Sequence, residues 1–176
     1  TESKYSHSGE KKKLNFDINK FKDFKKKINY IVVENEPNNL FDETKLHLNK
    51  SANNQIRENS IKRIAFQRDH LMSGIEEADK DDYIFYSDND EIPRFENINL
   101  EKNENKIIAF KQKLFYYKLN LFCDRIEWHG TRGCKKKYLK SFSWLRDLKI
   151  KNYPFYRIDT IFSDTKYINI KIIANG

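Results

Sequence analysis

The sequence predicts an α/β domain with a mixed, mostly parallel sheet flanked by helices. Three observations carry that prediction. Residues Tyr83, Ile84, Phe85 and Tyr86 make an apolar run without alternation, the pattern of a strand covered on both faces. A long helical pattern precedes it and another strand-like run precedes the helix, so the order is strand, helix, strand. A chain of 176 residues, 38% hydrophobic and 14% aromatic, can bury one core, which predicts a single domain over 1–176.

Taken in order, residues 1–13 are polar and read as a loop. Residues 15–27 set Phe16, Ile18, Phe21 and Phe24 among lysines, a short amphipathic segment, and 28–33 form a strand closed by Pro37, Asn38 and Asn39. Residues 43–54 read as a loop with room for one helical turn. The firmest helix covers 54–78, where Ile56, Ile61, Ile64, Leu71 and Ile75 recur at helical spacing and Gly74 is the weak point. Residues 106–122 hold one or two strands, with Tyr116 and Tyr117 partly exposed. Trp128, His129, Gly130, Thr131, Arg132 and Gly133 make a loop of binding-site composition. Residues 135–148 form a short helix whose Lys135, Lys136 and Lys137 oppose the helix dipole and call for a negative partner. Residues 167–173 are a final strand. The start at Thr1 and the stop at Asn175-Gly176, directly after an apolar run, read as ends cut from a longer chain.

The net charge of +8 and pI near 9.3 suit an anionic partner, but the lysines are spread along the whole chain, as in a solvated surface. A basic single-stranded nucleic-acid-binding module, with Tyr and Phe stacking bases between lysines, stays open as an alternative. No apolar window is long enough to span a bilayer and the start lacks a signal-peptide pattern, so a soluble, cytoplasmic chain is expected. Cys123 and Cys134 lack the spacing of a zinc site and read as two free thiols.

Arg57 and Arg68 are eleven residues apart on the long helix, about three turns, which puts both on the apolar stripe. An arginine facing a core must meet an anion, since an unpaired buried charge costs several kcal/mol, about 3–5. Two partners stay open: an internal carboxylate such as Glu58, Asp69 or a strand-end acid, or a bound phosphate.

The apolar run 83–86 ends in Asp88, Asp90 and Glu91, three carboxylates within four positions, followed by Ile92 and Pro93. Ligands of open α/β sheets collect beyond the carboxyl ends of strands. Oxygen ligands at that position suit a hard cation such as Mg²⁺ or Mn²⁺ carried with substrate phosphates. The spacing is not that of a calcium loop, since Ile92 stands where a third acid or glycine is needed. Asp88 and Asp90 project to one side if the backbone is extended, but not necessarily if it turns.

Ser87-Asp88-Asn89-Asp90-Glu91-Ile92-Pro93 resembles the Ser-Asp-x-Asp-Glu-Ile-Pro signature of glycosyltransferase family 17, the family of the bisecting β-1,4-N-acetylglucosaminyltransferase. The likeness continues in order on both sides. Glu2-Ser3-Lys4-Tyr5-Ser6-His7-Ser8-Gly9-Glu10-Lys11-Lys12 is similar to the segment after the family's first strand. Phe66-Gln67-Arg68-Asp69 is similar to its central helix, and Trp128-His129-Gly130-Thr131-Arg132 to its later Trp-x-Gly loop. The resemblance implies a GT-A-like, Rossmann-like nucleotide-sugar-binding domain, here a fragment of the family domain. It implies Mn²⁺ or Mg²⁺, a UDP-sugar donor, UDP-N-acetylglucosamine or a relative, and inverting transfer to a glycan hydroxyl, with no nucleic acid as partner. It assigns Asp88 and Asp90 to the metal on the donor diphosphate, and Glu91 to a catalytic or supporting role. Arg57 and Arg68 are the candidate cofactor-binding groups beside Asp88. Compartment follows the parent protein: cytoplasmic, or the Golgi lumen for a eukaryotic secretory-pathway enzyme. A truncated transferase that binds without turnover is the further alternative, since the family's opening strand and the continuation after Gly176 are lacking.

Overall fold

The computed structural model describes residues 2–3, 11, 13, 16–42, 50–96, 98–103, 106–115, 121–150 and 170–174. The described residues group into two compact units, one drawn from 1–77 with 141–143, the other from 78–140 with 144–176.

In the first unit, β1 (Glu2–Ser3) pairs in parallel with β2 (Val32–Val33). Of the expected strand over 28–33, only its last two residues enter a sheet. Upstream, Tyr30 lies 4.6 Å from the ring of Phe16, which also stacks on Phe21 at 5.5 Å. The amphipathic segment forms 3₁₀ turns over Ile18–Lys27, started by Asp17, whose carboxylate accepts from Asn19 N at 3.0 Å. Helix α1 (Lys50–Asp69) tightens into a 3₁₀ turn over His70–Ile75.

The expected stripe on this helix does not hold: Arg57 is exposed and Ile61 is 57% exposed. The buried positions are Asn59 and Ser60. Asn59 brackets the backbone of Phe41, accepting from its N–H and donating to its carbonyl, both at 2.8 Å. A fully hydrogen-bonded amide can be buried at low cost, so polar chemistry overrode the apolar period. An arginine of this helix that meets a carboxylate is Arg63, whose Nε and Nη2 reach Glu36 at 2.8 and 3.3 Å. Gly74, the expected weak point, has a packing reason: a Cβ there would lie 2.9 Å from Ile31 Cδ1.

The second unit is built on a four-stranded sheet in the order β3-β5-β4-β6, formed by β3 (Tyr83–Tyr86), β4 (Ile107–Phe115), β5 (Phe122–Lys135) and β6 (Ile170–Ala174). β3–β5 and β5–β4 are antiparallel, and β4–β6 is parallel. The mixed α/β class holds; a mostly parallel sheet does not, because β4 and β5, consecutive in the chain, turn back on each other. β3 is correspondingly an edge strand of this sheet and is only half-buried up to Tyr86. The covered strand is the first half of β4, where Ile107, Ile108, Ala109 and Phe110 are at most 1% exposed. Phe85, Phe95 and Phe110 close that core with ring centroids 5.0 to 6.0 Å apart. Gly133, opposite Phe85, leaves the space that the Phe85 ring fills.

Helix α2 (Phe142–Asp147) is shorter than the expected helix, and a 3₁₀ turn over Lys136–Tyr138 takes up the basic start. The negative partner expected there is Asp81, 2.5 Å from Lys137 Nζ and 3.6 Å from Lys135 Nζ. Among the described residues, no helix is long and apolar enough to cross a membrane. The reading of Tyr116 and Tyr117 and most of 1–13 lies outside the described residues.

Candidate functional site

The acid cluster sits in a tight turn. Glu91 N donates to Asp88 O at 3.0 Å, so Asp88, Asn89, Asp90 and Glu91 make a hydrogen-bonded turn directly after β3. The turn separates Asp88 from Asp90, the two carboxylates that an extended chain would align. Asp88 and Glu91 face the unit's interior, while Asp90 is exposed.

Glu91 is the centre of the arrangement, with its side chain 6% exposed. One oxygen accepts from Trp128 Nε1 at 3.0 Å and from Arg146 Nη2 at 3.1 Å. The other accepts from Asp88 N at 3.2 Å. Asp88 takes Tyr86 Oη at 2.6 Å on Oδ1 and Arg146 Nη2 at 2.8 Å on Oδ2. A single guanidinium therefore bridges both acids, and it also lies over the Trp128 indole at 5.4 Å.

Strand β5 supplies the other half, and the Trp128–Arg132 stretch expected as a loop lies within it. Its irregularity is a bulge. β4 pairs Ala109 with Arg132 and Lys111 with His129, so Gly130 and Thr131 together oppose the single residue Phe110. The bulge turns Thr131 N toward Gln112 Oε1, at 2.9 Å, and its hydroxyl contacts Ser87 Oγ. Gly130 is required by close approach: a Cβ there would fall 2.7 Å from Glu91 Cδ and on the Gln112 amide.

Arg132 works one step further out. It donates to the carbonyls of Leu145 at 3.2 Å, Leu148 at 2.6 Å, and Arg146, closing the C-terminal end of α2 where carbonyls lack helical partners. That cap holds Arg146 in reach of Gly130 O, at 3.3 Å, and of the two acids.

Of the residues expected at a site, Asp88 and Glu91 are joined in one network, Asp90 is beside them in the turn, and Trp128 and Arg132 support them. Arg57 and Arg68 lie on α1, in the first unit. Arg146, Gln112 and the Tyr86 hydroxyl were missed. For Arg146 a signal existed: it follows Trp144 and the fully buried Leu145, so the need of a core-facing arginine for an anion applied to α2 rather than α1.

The turn brings three carboxylates together beside Arg146, and its donors are oxygens, the set a hard divalent cation takes. Asp90 offers an exposed carboxylate, and the Asp88 side chain is 32% exposed. These residues fit a cation completed by water and ligand oxygens. Among the described residues, no three His, Cys, Asp or Glu side chains form a ready-made metal cage. No family model, curated protein or solved structure matches the chain.

Proposed function

We propose that this protein is a metal-dependent, inverting glycosyltransferase of GT-A-like fold, moving a sugar, N-acetylglucosamine in the leading version, from a UDP donor to a glycan hydroxyl. One observation carries the reading. The two stretches on which the resemblance to glycosyltransferase family 17 is most specific, 87–93 and 128–132, are distant in sequence and hydrogen-bond to each other through Glu91–Trp128 and Ser87–Thr131. Motifs that meet at the end of a strand behave as parts of one site, whereas chance matches have no reason to touch.

In this reading Asp90 and Asp88 hold Mn²⁺ or Mg²⁺, which when bound neutralises the diphosphate leaving group. Arg146 orients Asp88 through its contact with Oδ2. Glu91, buried and engaged by three donors, is a positioning residue that fixes the turn rather than a base for the acceptor hydroxyl. The supporting cation expected of Arg57 or Arg68 is assigned to Arg146 instead.

The test is a thermal shift with Mn²⁺ plus UDP. The native chain is expected to gain melting temperature, and Asp90→Ala to lose that gain while keeping its own stability within about 0.5 kcal/mol, as befits an exposed side chain. An equal gain in the variant removes Asp90 from the metal site. Release of UDP from UDP-N-acetylglucosamine then separates turnover from binding alone.

A further inference from the structure

The second unit holds a basic cavity that plays no part in the acid turn. It is about 340 Å³ in volume, at the lower end of the range in which small-molecule clefts fall. Ile107 and Leu139 give an apolar floor, Tyr138 and Trp144 aromatic walls, and Lys106, Lys137 and Lys140 the rim. Ile107 and Gln112 bound a run of five steps along β4, about 17 Å of extended chain, so this cavity meets the start of that strand and the acid cluster a point past its middle.

The rim lysines are exposed, and each lies beside an aromatic ring. Lys106 and Lys137 place their ammonium groups 5.5 and 5.4 Å from the Tyr138 ring centroid, and Lys140 lies 5.6 Å from that of Trp144. Lys137 also contacts Asp81, whose carboxyl it holds below the usual carboxylate range while Asp81 raises the ammonium in turn. Lys135, 3.6 Å from the same carboxylate, completes the local charges. Three lysines line the cavity, and Asp81 is set against one of them, Lys137.

We propose that this cavity binds a small anion carrying a planar ring, of the nucleoside monophosphate class. The ring answers the aromatic walls and the apolar floor, and the phosphate answers the lysines. A bare anion leaves the walls unused, and an uncharged ring leaves the rim unneutralised.

The experiment is isothermal titration of the full chain with UMP and AMP in EDTA, which removes any metal route through the acid turn. Sub-millimolar binding is expected, weakened about tenfold or more in the Lys106→Gln/Lys140→Gln double variant at unchanged melting temperature, and unchanged in Asp90→Ala. Absence of binding at millimolar nucleotide, or undiminished binding in the double lysine variant, overturns the proposal. So does pyrophosphate binding as tightly as AMP, which would make the ring irrelevant. Loss of binding in Asp90→Ala would move the nucleotide to the acid turn. A short oligothymidylate that binds more tightly with the same lysine dependence would make the cavity part of a single-strand nucleic-acid surface instead. Because the assay is metal-free, its failure leaves the transferase reading standing.

Discussion

Each of the two units holds an arginine against acid from a segment that follows a strand, and the two arrangements differ in how many acids of one segment the guanidinium engages. In the first unit, Arg63 on α1 meets Glu36 after β2. In the second, Arg146 on α2 meets Asp88 and Glu91 after β3, with Asp90 exposed alongside. An arginine held by a loop acid anchors that loop. An arginine held by two acids of one turn fixes the buried members of that turn and leaves Asp90 exposed beside them, the arrangement on which the proposed cation site rests. An ion pair by itself thus says little; what lies exposed beside it distinguishes the two arrangements.

The sharpest way to break the comparison is to remove one acid from each. Glu91→Ala leaves Arg146, Trp128 Nε1 and Asp88 N short of a partner in a nearly closed environment, and is expected to cost about 3 kcal/mol in urea unfolding. Glu36→Ala opens a pair whose acid is 30% exposed, and is expected to cost about 1 kcal/mol. Equal losses would mean that both pairs serve the fold alike.

A smaller effect is expected from Gly130→Ala, which leaves every charge in place and pushes a methyl group against the Glu91 carboxylate. About 2 kcal/mol of stability should be lost, the cost of local overpacking, and with it the melting-temperature gain from Mn²⁺ plus UDP. Retention of that gain would show that the turn tolerates a displaced Glu91.

The smallest effect contrasts the two ends of β5. Burial pushes the Cys134 thiol from its ordinary value of 9.0 up to about 12, whereas Cys123 is half-buried. The folded state keeps the Cys134 proton after the unfolded chain has lost it, so this contribution to stability is complete below pH 9.0 and declines as pH rises toward 12. At pH 8, iodoacetamide is expected to label Cys123 and spare Cys134 until the chain unfolds; equal labelling would place Cys134 within reach of solvent.

Local patterns carried the sequence reading where one residue's neighbours along the chain decide its state. The long helix, the strand at 83–86, the acid turn after it and the final strand were legible for that reason. So was the need of Lys135 to Lys137 for an acid, met by Asp81. The reading failed where side chains from remote segments decide. Trp128 to Arg132 looked like a loop because glycine, histidine and arginine are poor strand signals in isolation. In the fold, Gly130 makes room for Glu91 and Gln112, and Gly133 for the Phe85 ring, so the same residues suit a bulged strand.

The sequence by itself determined the chemistry on offer: a strand ending in three carboxylates, and a second motif that resembles part of the same family. Only the tertiary structure decided how that chemistry is divided. It buried Glu91 under three donors, tied Asp88 to Arg146, and left Asp90 exposed. It also exposed Arg57, because α1 buried the hydrogen-bonded Asn59 instead of continuing its apolar stripe. The reason is that charge pairing and amide satisfaction act across space, and their partners are set by which segments the sheet and the helix caps bring together.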